Sequence, residues 1–484
     1  MQKKHWSLFA FLFLVGCARS PQDVLNDSSA AMGATNLKTI QYSGSGFALA
    51  LGQSFRPGEA WPKFNAKSYT RMVNYETASS QEELIRTQYE NPPRGGGVQP
   101  VIGEQRQVFF VSGNYAWNRP GDEPVPAPAA AEERGLHVWL TPHGVIKSAL
   151  SNSPTMASQT VDGRSVTVVS FTLQERFSVS ATINSQNLVE KVETRIPNPV
   201  LGDMPVEISY SDYRDFSGVQ FPARIVQRQG GHPTLEITVS SVQPNSAVDM
   251  ETPESVRTAG VTPVRVETQR IAEGVWFLAG GSHHSVAVEF QDHVVVVEGP
   301  QNEERSEAVI AEVKKLLPDK PIRYLVNTHH HFDHSGGIRT YVAEGATIIT
   351  HEINKPFYEQ AFRAPRTLSP DRLSQSNVPA KFETMTDKHV LTDGTRTMEL
   401  HLTQGSGHNA GLIMAYLPRE RILIEADSFS PPPPGAPPPA VISTYSVNLY
   451  ENIERLRLAV QRIVPIHGRV VPLADLRRVI GRAS

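Results

Sequence analysis

The sequence predicts an α/β protein in two parts: a mainly antiparallel β domain, then a domain in which strands and helices alternate. Three observations lead there. At 484 residues the chain exceeds what one ordinary core organises. Between about 63 and 245 apolar residues recur mostly at a period of two, whereas after about 266 short apolar strands alternate with helical patterns. Finally, four of the 16 histidines fall in one ten-residue run, Thr328 to Gly337. Charged residues at 20%, hydrophobic residues at 39% and a formal net charge of −3 suit a globular chain and give no basic face for nucleic acid.

The N-terminus reads as an export signal. Lys3 and Lys4 precede an apolar run from Trp6 to Gly16, too short to span a bilayer permanently. Leu14-Val15-Gly16-Cys17 ends it, and Cys17 is the only cysteine in the chain. This resembles the lipobox of bacterial lipoproteins, which implies lipidation at Cys17, membrane attachment and, with Ala18 following, the outer membrane facing the periplasm. A plain secretory signal with an incidental cysteine is the alternative. Once Cys17 is modified, neither a disulfide framework nor a cysteine nucleophile is left. The Ser-, Gly-, Asn- and Ala-rich stretch 18–62 has no sustained period and reads as a tether.

In the first domain, 63–245, Ser165 to Val169 and Thr234 to Val239 alternate as half-buried strands do. Gly113-Asn114, Gly218 and Gly230-Gly231 supply turns, and Pro92 to Gly97 and Pro120 to Ala131 read as exposed loops. Tyr210 to Arg214 through Phe221-Pro222 resembles the curved half-barrel of outer-membrane lipoprotein carriers, so an apolar ligand on this sheet is one expectation. Pro244 to Pro263 marks a linker, set at 246–265.

The second domain, 266–484, begins with strands at Val275 to Leu278, Val286 to Phe290 and Val294 to Val297. Val309, Ile310, Val313, Leu316 and Leu317 then form one face of a helix that Pro318 stops. Tyr324 to Asn327 is a buried strand, Ile338 to Glu344 a helix and Ala346 to Thr350 a strand again. The proline-rich segment 431–439 is an extended surface spacer or a rim over a site.

The histidine run begins where the Tyr324 to Asn327 strand ends. Residues two apart in extended chain project to one side, so His329 and His331 point together and His330 points away. Asp333 and His334 follow as the chain turns, and Gly336-Gly337 permit close backbone approach. Imidazoles with a carboxylate in this arrangement form a donor set for two adjacent metals, zinc first, with iron or manganese as competitors. Further donors stand at later strand ends: His408 after Leu400 to Leu402, Asp427 after Ile422 to Ile424, and His467 after Ile463-Val464. A flexible His-rich scavenger would not sit between a buried strand and a helix.

His329-x-His331-x-Asp333-His334, then Gly407-His408, Asp427 and His467-Gly468, resembles the metallo-β-lactamase fold superfamily from Val266 to the C-terminus. The resemblance implies an αββα sandwich with a dinuclear centre at one edge. It implies one metal on His329, His331 and His408, a second on Asp333, His334 and His467, and Asp427 as the bridge. Glu298 stands where many members have aspartate, a supporting position. Asp427, rather than Cys or Ser, resembles lactonases, thioesterases, phosphodiesterases and sulfatases, so true β-lactamase activity is not favoured. Water held by two metals is a hydroxide near neutral pH, and Asp333 is the candidate to orient or deprotonate it. The expected function is an exported metal-dependent hydrolase of a small ester, lactone, thioester, phospho- or sulfo-ester. The rivals are a ligand-binding lipoprotein with an idle metal domain and a mononuclear-iron dioxygenase. His283, His284 and His351 lie in loops that could face the cleft, with a structural or solvent-facing role the first expectation for each.

Overall fold

The computed structural model describes residues 19–482 apart from 249, 377 and 438. The expected signal segment and Cys17 lie outside the described residues.

The first domain is one 13-stranded sheet, antiparallel at each pairing. Its first strand, Thr39–Leu49, pairs with its last, His232–Pro244, with Ile40 opposite Pro244. From that seam the strands run outward in chain order on one side and in reverse chain order on the other. The period-two pattern holds where the sequence shows it: in His232–Pro244, Ile237 and Val239 are buried while Thr238 and Ser240 are exposed. Helices Ala131–Trp139 and Pro142–Leu150 cover the inner face, burying Leu136, Val138, Val145 and Ile146 against Tyr42, Phe221 and their neighbours. Each such aliphatic side chain taken from water stabilises the domain by roughly 1.5–3 kcal/mol.

The expected tether 18–62 is folded over its described residues, 19–62. It holds the helix Pro21–Ala31, capped by Ser20 accepting from the Asp23 N–H, and the strand Thr39–Leu49 at the centre of the sheet. Its small residues have a different cause. A Cβ at Gly44 would lie 2.2 Å from the Thr238 carbonyl oxygen, and one at Gly46 would lie 2.0 Å from that of Glu236. The pairing register shifts beside both glycines, so they serve bulges where backbones crowd. In the segment 246–265, the short helix Glu254–Arg257 packs Val256 against Val108, Phe110 and Trp117 of the sheet domain.

The second domain is four layers. A seven-stranded sheet runs from Glu267–Ala272 to Lys381–Met385 and a six-stranded sheet from Lys388–Thr392 to Val471–Pro472. Between them Val286, Val295, Val297 and Val326 meet Leu400, Ile413, Ile424 and Val464. Helices Glu303–Leu316, Ile338–Ala343 and Lys355–Arg363 pack on one outer face, and Thr444–Arg455 and Leu473–Val479 on the other. Val294–Val297 is buried at all four positions, as expected of a strand covered on both faces. The predicted αββα sandwich behind an antiparallel β domain is the observed architecture.

Candidate metal centre

Each strand that carries a donor ends at the same edge of the second domain. Ile322–Val326 leads into His329, His331, Asp333 and His334, and Thr397–Leu402 leads towards His408. Ile422–Glu425 leads to Asp427, and Arg462–Pro465 to His467. A four-residue helix, Phe332–Ser335, turns the chain between His331 and the glycine pair. The glycines are required by contact: a Cβ at Gly336 would lie 1.8 Å from the Gln301 carbonyl oxygen, and one at Gly337 2.0 Å from Ser306 Oγ.

Asp427 stands at the middle of the cluster. Its Oδ2 lies 2.8 Å from His408 Nε2, 3.1 Å from His334 Nε2 and 3.4 Å from His329 Nε2. Its Oδ1 lies 2.8 Å from His467 Nε2. His329, His331, His408 and Asp427 form one group whose donor atoms are mutually within 4.8 Å, and His283, Asp333, His334 and His467 form a second. All seven residues expected from the sequence thus converge, and His330 turns away to Ser54 Oγ at 3.1 Å and the Asn409 carboxamide nitrogen at 3.0 Å.

The remaining imidazole nitrogens are held by neighbours. Glu298, fully buried, accepts from the Thr328 hydroxyl, the Thr328 N–H and the Asn327 carboxamide, and its Oε2 lies 3.1 Å from His334 Nδ1. Thr328 Oγ1 is 2.9 Å from His329 Nδ1, and the Ser282 carbonyl 2.9 Å from His467 Nδ1. The longer Glu298 side chain thus does what a supporting carboxylate must, orienting ligand rings from behind. Glu298 and Asp427 both sit at positive φ, 75° and 60°, in the left-handed region. Such positions cost on the order of 1–3 kcal/mol each, and they concentrate at functional sites.

Burial holds His329 down to about 4 and keeps His330 and His331 well below the ordinary imidazole value. These rings are neutral, the form that ligates. Burial also opposes a proton on His334, but Asp427 and Asp333 outweigh it, and its pKa is raised well above the usual range. Conversely Asp427, raised by burial, is brought far below the carboxylate range by His334 and His408.

A divalent metal fits these residues on one observation above the rest. His331 donates from Nε2 to the Ser54 carbonyl at 2.9 Å, while its buried Nδ1 has no hydrogen-bond partner. A buried orphan nitrogen is costly, and this one belongs to the His329, His408 and Asp427 group, where a cation would satisfy it.

The site extends beyond the seven expected residues. His283, expected first to be structural or solvent-facing with the cleft as the alternative, lies with Nε2 3.2 Å from Asp333 Oδ2 and its ring 4.1 Å from that of His467. His284 and His351 stay outside the cluster: His284 Nδ1 accepts from the Gly280 N–H, and His351 caps a short helix by accepting from the Ile353 N–H. Gln53 and Ser54 arrive from the first domain, about 280 residues earlier in the chain. Pro92–Gly97, expected to be an exposed loop, instead buries Gly95 and Gly96 beside the cluster. The Gly95 N–H donates to the Gly407 carbonyl, and Tyr445 Oη donates to the Gly95 carbonyl. A cavity of about 620 Å³ opens over Asp333, Asp427 and His467. Pro432 and Pro439 of the proline-rich segment form part of its rim.

Fold and donor set define an αββα domain with a candidate metal centre, suited to metal-dependent hydrolysis or redox chemistry. Residues 278–467 match the family model described as "Metallo-beta-lactamase superfamily". A curated relative, the 2,4-dinitroanisole O-demethylase subunit alpha of Nocardioides sp. (strain JS1661), is 24% identical over 166 residues. That alignment covers 33% of this chain, which spans 45% of the relative's length. Among solved structures, a metallo-β-lactamase from Pontibacter korlensis is 18% identical with a TM-score of 0.36, covering 45% of this chain and 98% of that one. The rubredoxin oxygen:oxidoreductase of Desulfovibrio gigas is 15% identical with a TM-score of 0.35, covering 44% of this chain and 61% of that one.

Proposed function

We propose that the protein is a metal-dependent hydrolase of an uncharged carbonyl substrate, an ester, lactone or thioester carrying an apolar group. One observation carries the choice among ester classes: among the described residues, no lysine or arginine lines the cavity over the cluster. Its walls include Val98, Phe429, Pro432, Val441 and Tyr445 beside uncharged polar residues such as Gln99, Ser430 and Ser443, above the His/Asp floor. Recognition of a sulfate or phosphate ester generally uses arginine or lysine to balance the anion, and these walls offer neither.

His329, His331 and His408 would hold one metal, Asp333, His334 and His467 the second, and Asp427 would reach both. Zinc is the first candidate, with iron and manganese behind it. Bound there, the metals would supply an activated water at neutral pH and polarise the carbonyl oxygen. Asp333 is partly exposed to the cavity, with Oδ1 held by Gln53 at 2.7 Å. Its Oδ2 would orient the attacking water and accept its proton. Val98, Val441 and the proline rim would exclude bulk water from the acyl group.

The test is a substrate panel run on metal-loaded full-length protein: neutral aryl and alkyl esters, lactones, thioesters, phosphodiesters, sulfate esters, β-lactams and an aryl methyl ether. Turnover of neutral acyl substrates well above the anionic esters is expected. Preference for a phosphate or sulfate ester would overturn the assignment. Attachment to a membrane through Cys17 belongs to the same proposal, supported by Leu14 to Cys17 alone. Cys17→Ser should abolish acyl labelling and move the protein to the soluble fraction; unchanged membrane fractionation would contradict it.

A further inference from the structure

We infer that the N-terminal sheet domain is a working part of the metal centre, with Gln53 as the positioning residue for Asp333. This rests on the reading of Asp333 as a ligand of the second metal.

The connection runs through one short segment, Gly52 to Phe55, that follows the strand Thr39–Leu49. Gln53 Nε2 donates to Asp333 Oδ1 at 2.7 Å. Its Oε1 accepts from the Gly97 N–H at 3.1 Å, and its carbonyl accepts from the Gly96 N–H at 3.0 Å. The carboxamide is therefore fixed at both ends, and its orientation follows: the oxygen must face the N–H and the nitrogen must face the carboxylate. With Gln53 on Oδ1 and His283 Nε2 3.2 Å from Oδ2, the Asp333 carboxylate has little rotational freedom left.

The same segment sets the ring of His331. A carbonyl oxygen only accepts, so the Ser54 carbonyl at 2.9 Å places the imidazole hydrogen on Nε2 and leaves the lone pair on Nδ1. The Asn409 carboxamide nitrogen is farther, at 3.3 Å, and lies 3.0 Å from His330 Nδ1. The backbone reinforces the placement: the Phe332 N–H donates to the Gly52 carbonyl and the Ala410 N–H to that of Phe55.

Sterics show that the seam is built for this approach. A Cβ at Gly96 would lie 1.9 Å from Gln53 Oε1 and 2.9 Å from His331 Cε1. One at Gly52, where φ is +74°, would lie 2.2 Å from the Phe332 ring. Residues absent at these points make room for first-domain backbone against the ligand loop. Outer partners of metal ligands are worth roughly 10–100-fold in metal affinity when removed. The metal domain therefore depends on its neighbour for ligand orientation, which gives the sheet domain a role even when it binds nothing itself.

The experiment uses the full chain with Zn²⁺ and Co²⁺ as probes, each metal's affinity being read by chelator competition and the cobalt form's visible spectrum recorded. Gln53→Met keeps the volume and loses both carboxamide bonds, and Gln53→Ala provides a second variant should the first fail to fold. Both should weaken one metal by about 10–100-fold, leave the other at wild-type affinity and change the cobalt spectrum. Asp333→Ala separates the two levels of the argument. Loss of one metal in Asp333→Ala with wild-type binding and spectrum in the Gln53 variants would overturn the positioning role alone. Retention of both metals in Asp333→Ala would remove the ligand assignment beneath it. Equal weakening of both metals in the Gln53 variants would show general loosening and also overturn the specific role.

Discussion

The two domains place their buried polar groups differently. In the sheet domain they are scattered: Arg71 donates to the His137 carbonyl, Tyr210 to the Leu140 carbonyl, and His143 Nε2 meets the Met32 carbonyl while its Nδ1 has no partner. In the second domain His329, His331, His334, His408, Asp427 and Glu298 crowd one edge, and His331 Nδ1 remains without a partner. Isolated buried polar groups specify how elements pack. A dense cluster of imidazoles around one carboxylate specifies something that binds. Crowding of donor atoms, more than the presence of histidine or of a single orphaned nitrogen, separates the site from the structural histidines around it.

The largest effect should come from the centre of the dense region. Asp427→Asn keeps the volume and removes the charge that four imidazoles surround. Hydrolysis should fall on the order of 100-fold or more, with weaker binding of one or both metals. Asp427→Cys should recover metal better than Asn does. Near-normal rate and two metals in Asp427→Asn would make the carboxylate structural and erase the contrast with the first domain.

The next effect lies at the other seam between the domains. Asp203 of the sheet accepts from the Thr367 N–H at 2.9 Å, the Thr367 hydroxyl at 2.7 Å and the Leu368 N–H at 3.1 Å. Asp203→Ala should lower stability by about 1–3 kcal/mol in denaturant titration. Metal affinity should not change, because none of these bonds involves a residue of the two donor groups.

A smaller effect appears as acid sensitivity of the first domain. Burial takes His143 down to about 4, with the Met32 carbonyl opposing, so the folded chain holds the ring neutral. The folded state then binds fewer protons than the unfolded one once pH drops below about 6.5. Stability from this group is full above that value and falls as pH goes towards 4, the same sign as for a paired carboxylate but in a higher pH window. His143→Phe should flatten this slope, since the Gln220 N–H still reaches the Met32 carbonyl. An unchanged slope would assign the acid response to other groups.

The smallest effect should come from His351, a histidine in the second domain but outside the cluster. His351→Ala removes a helix cap and should cost about 0.5–2 kcal/mol, with metal content unchanged. Loss of metal in that variant would blur the line drawn between clustered and structural histidines.

The metal domain was legible because its signals are local. Strands of four to six residues end shortly before His329, His408, Asp427 and His467, so each donor follows the stop of a strand along the chain. Glu298 was seen as a substitution at a supporting position, and its contacts with Thr328 and His334 show it in that role. Gln53 and Ser54 carry no local signal, because their partners lie 280 and 277 residues away. The Ser/Gly-rich segment that reads as a tether is the central strand, because small residues serve crowded backbones as well as flexible ones. His283 was visible as a residue but not as a neighbour of Asp333, since only the folded loop brings it there.

Metal content tests the central claim most directly. Elemental analysis of the purified full-length protein should give close to two metals per chain, one for each donor group, and His331→Ala should fall sharply below that. Full occupancy in His331→Ala, or no tightly held metal in the wild-type protein under conditions where it is folded, would contradict the account.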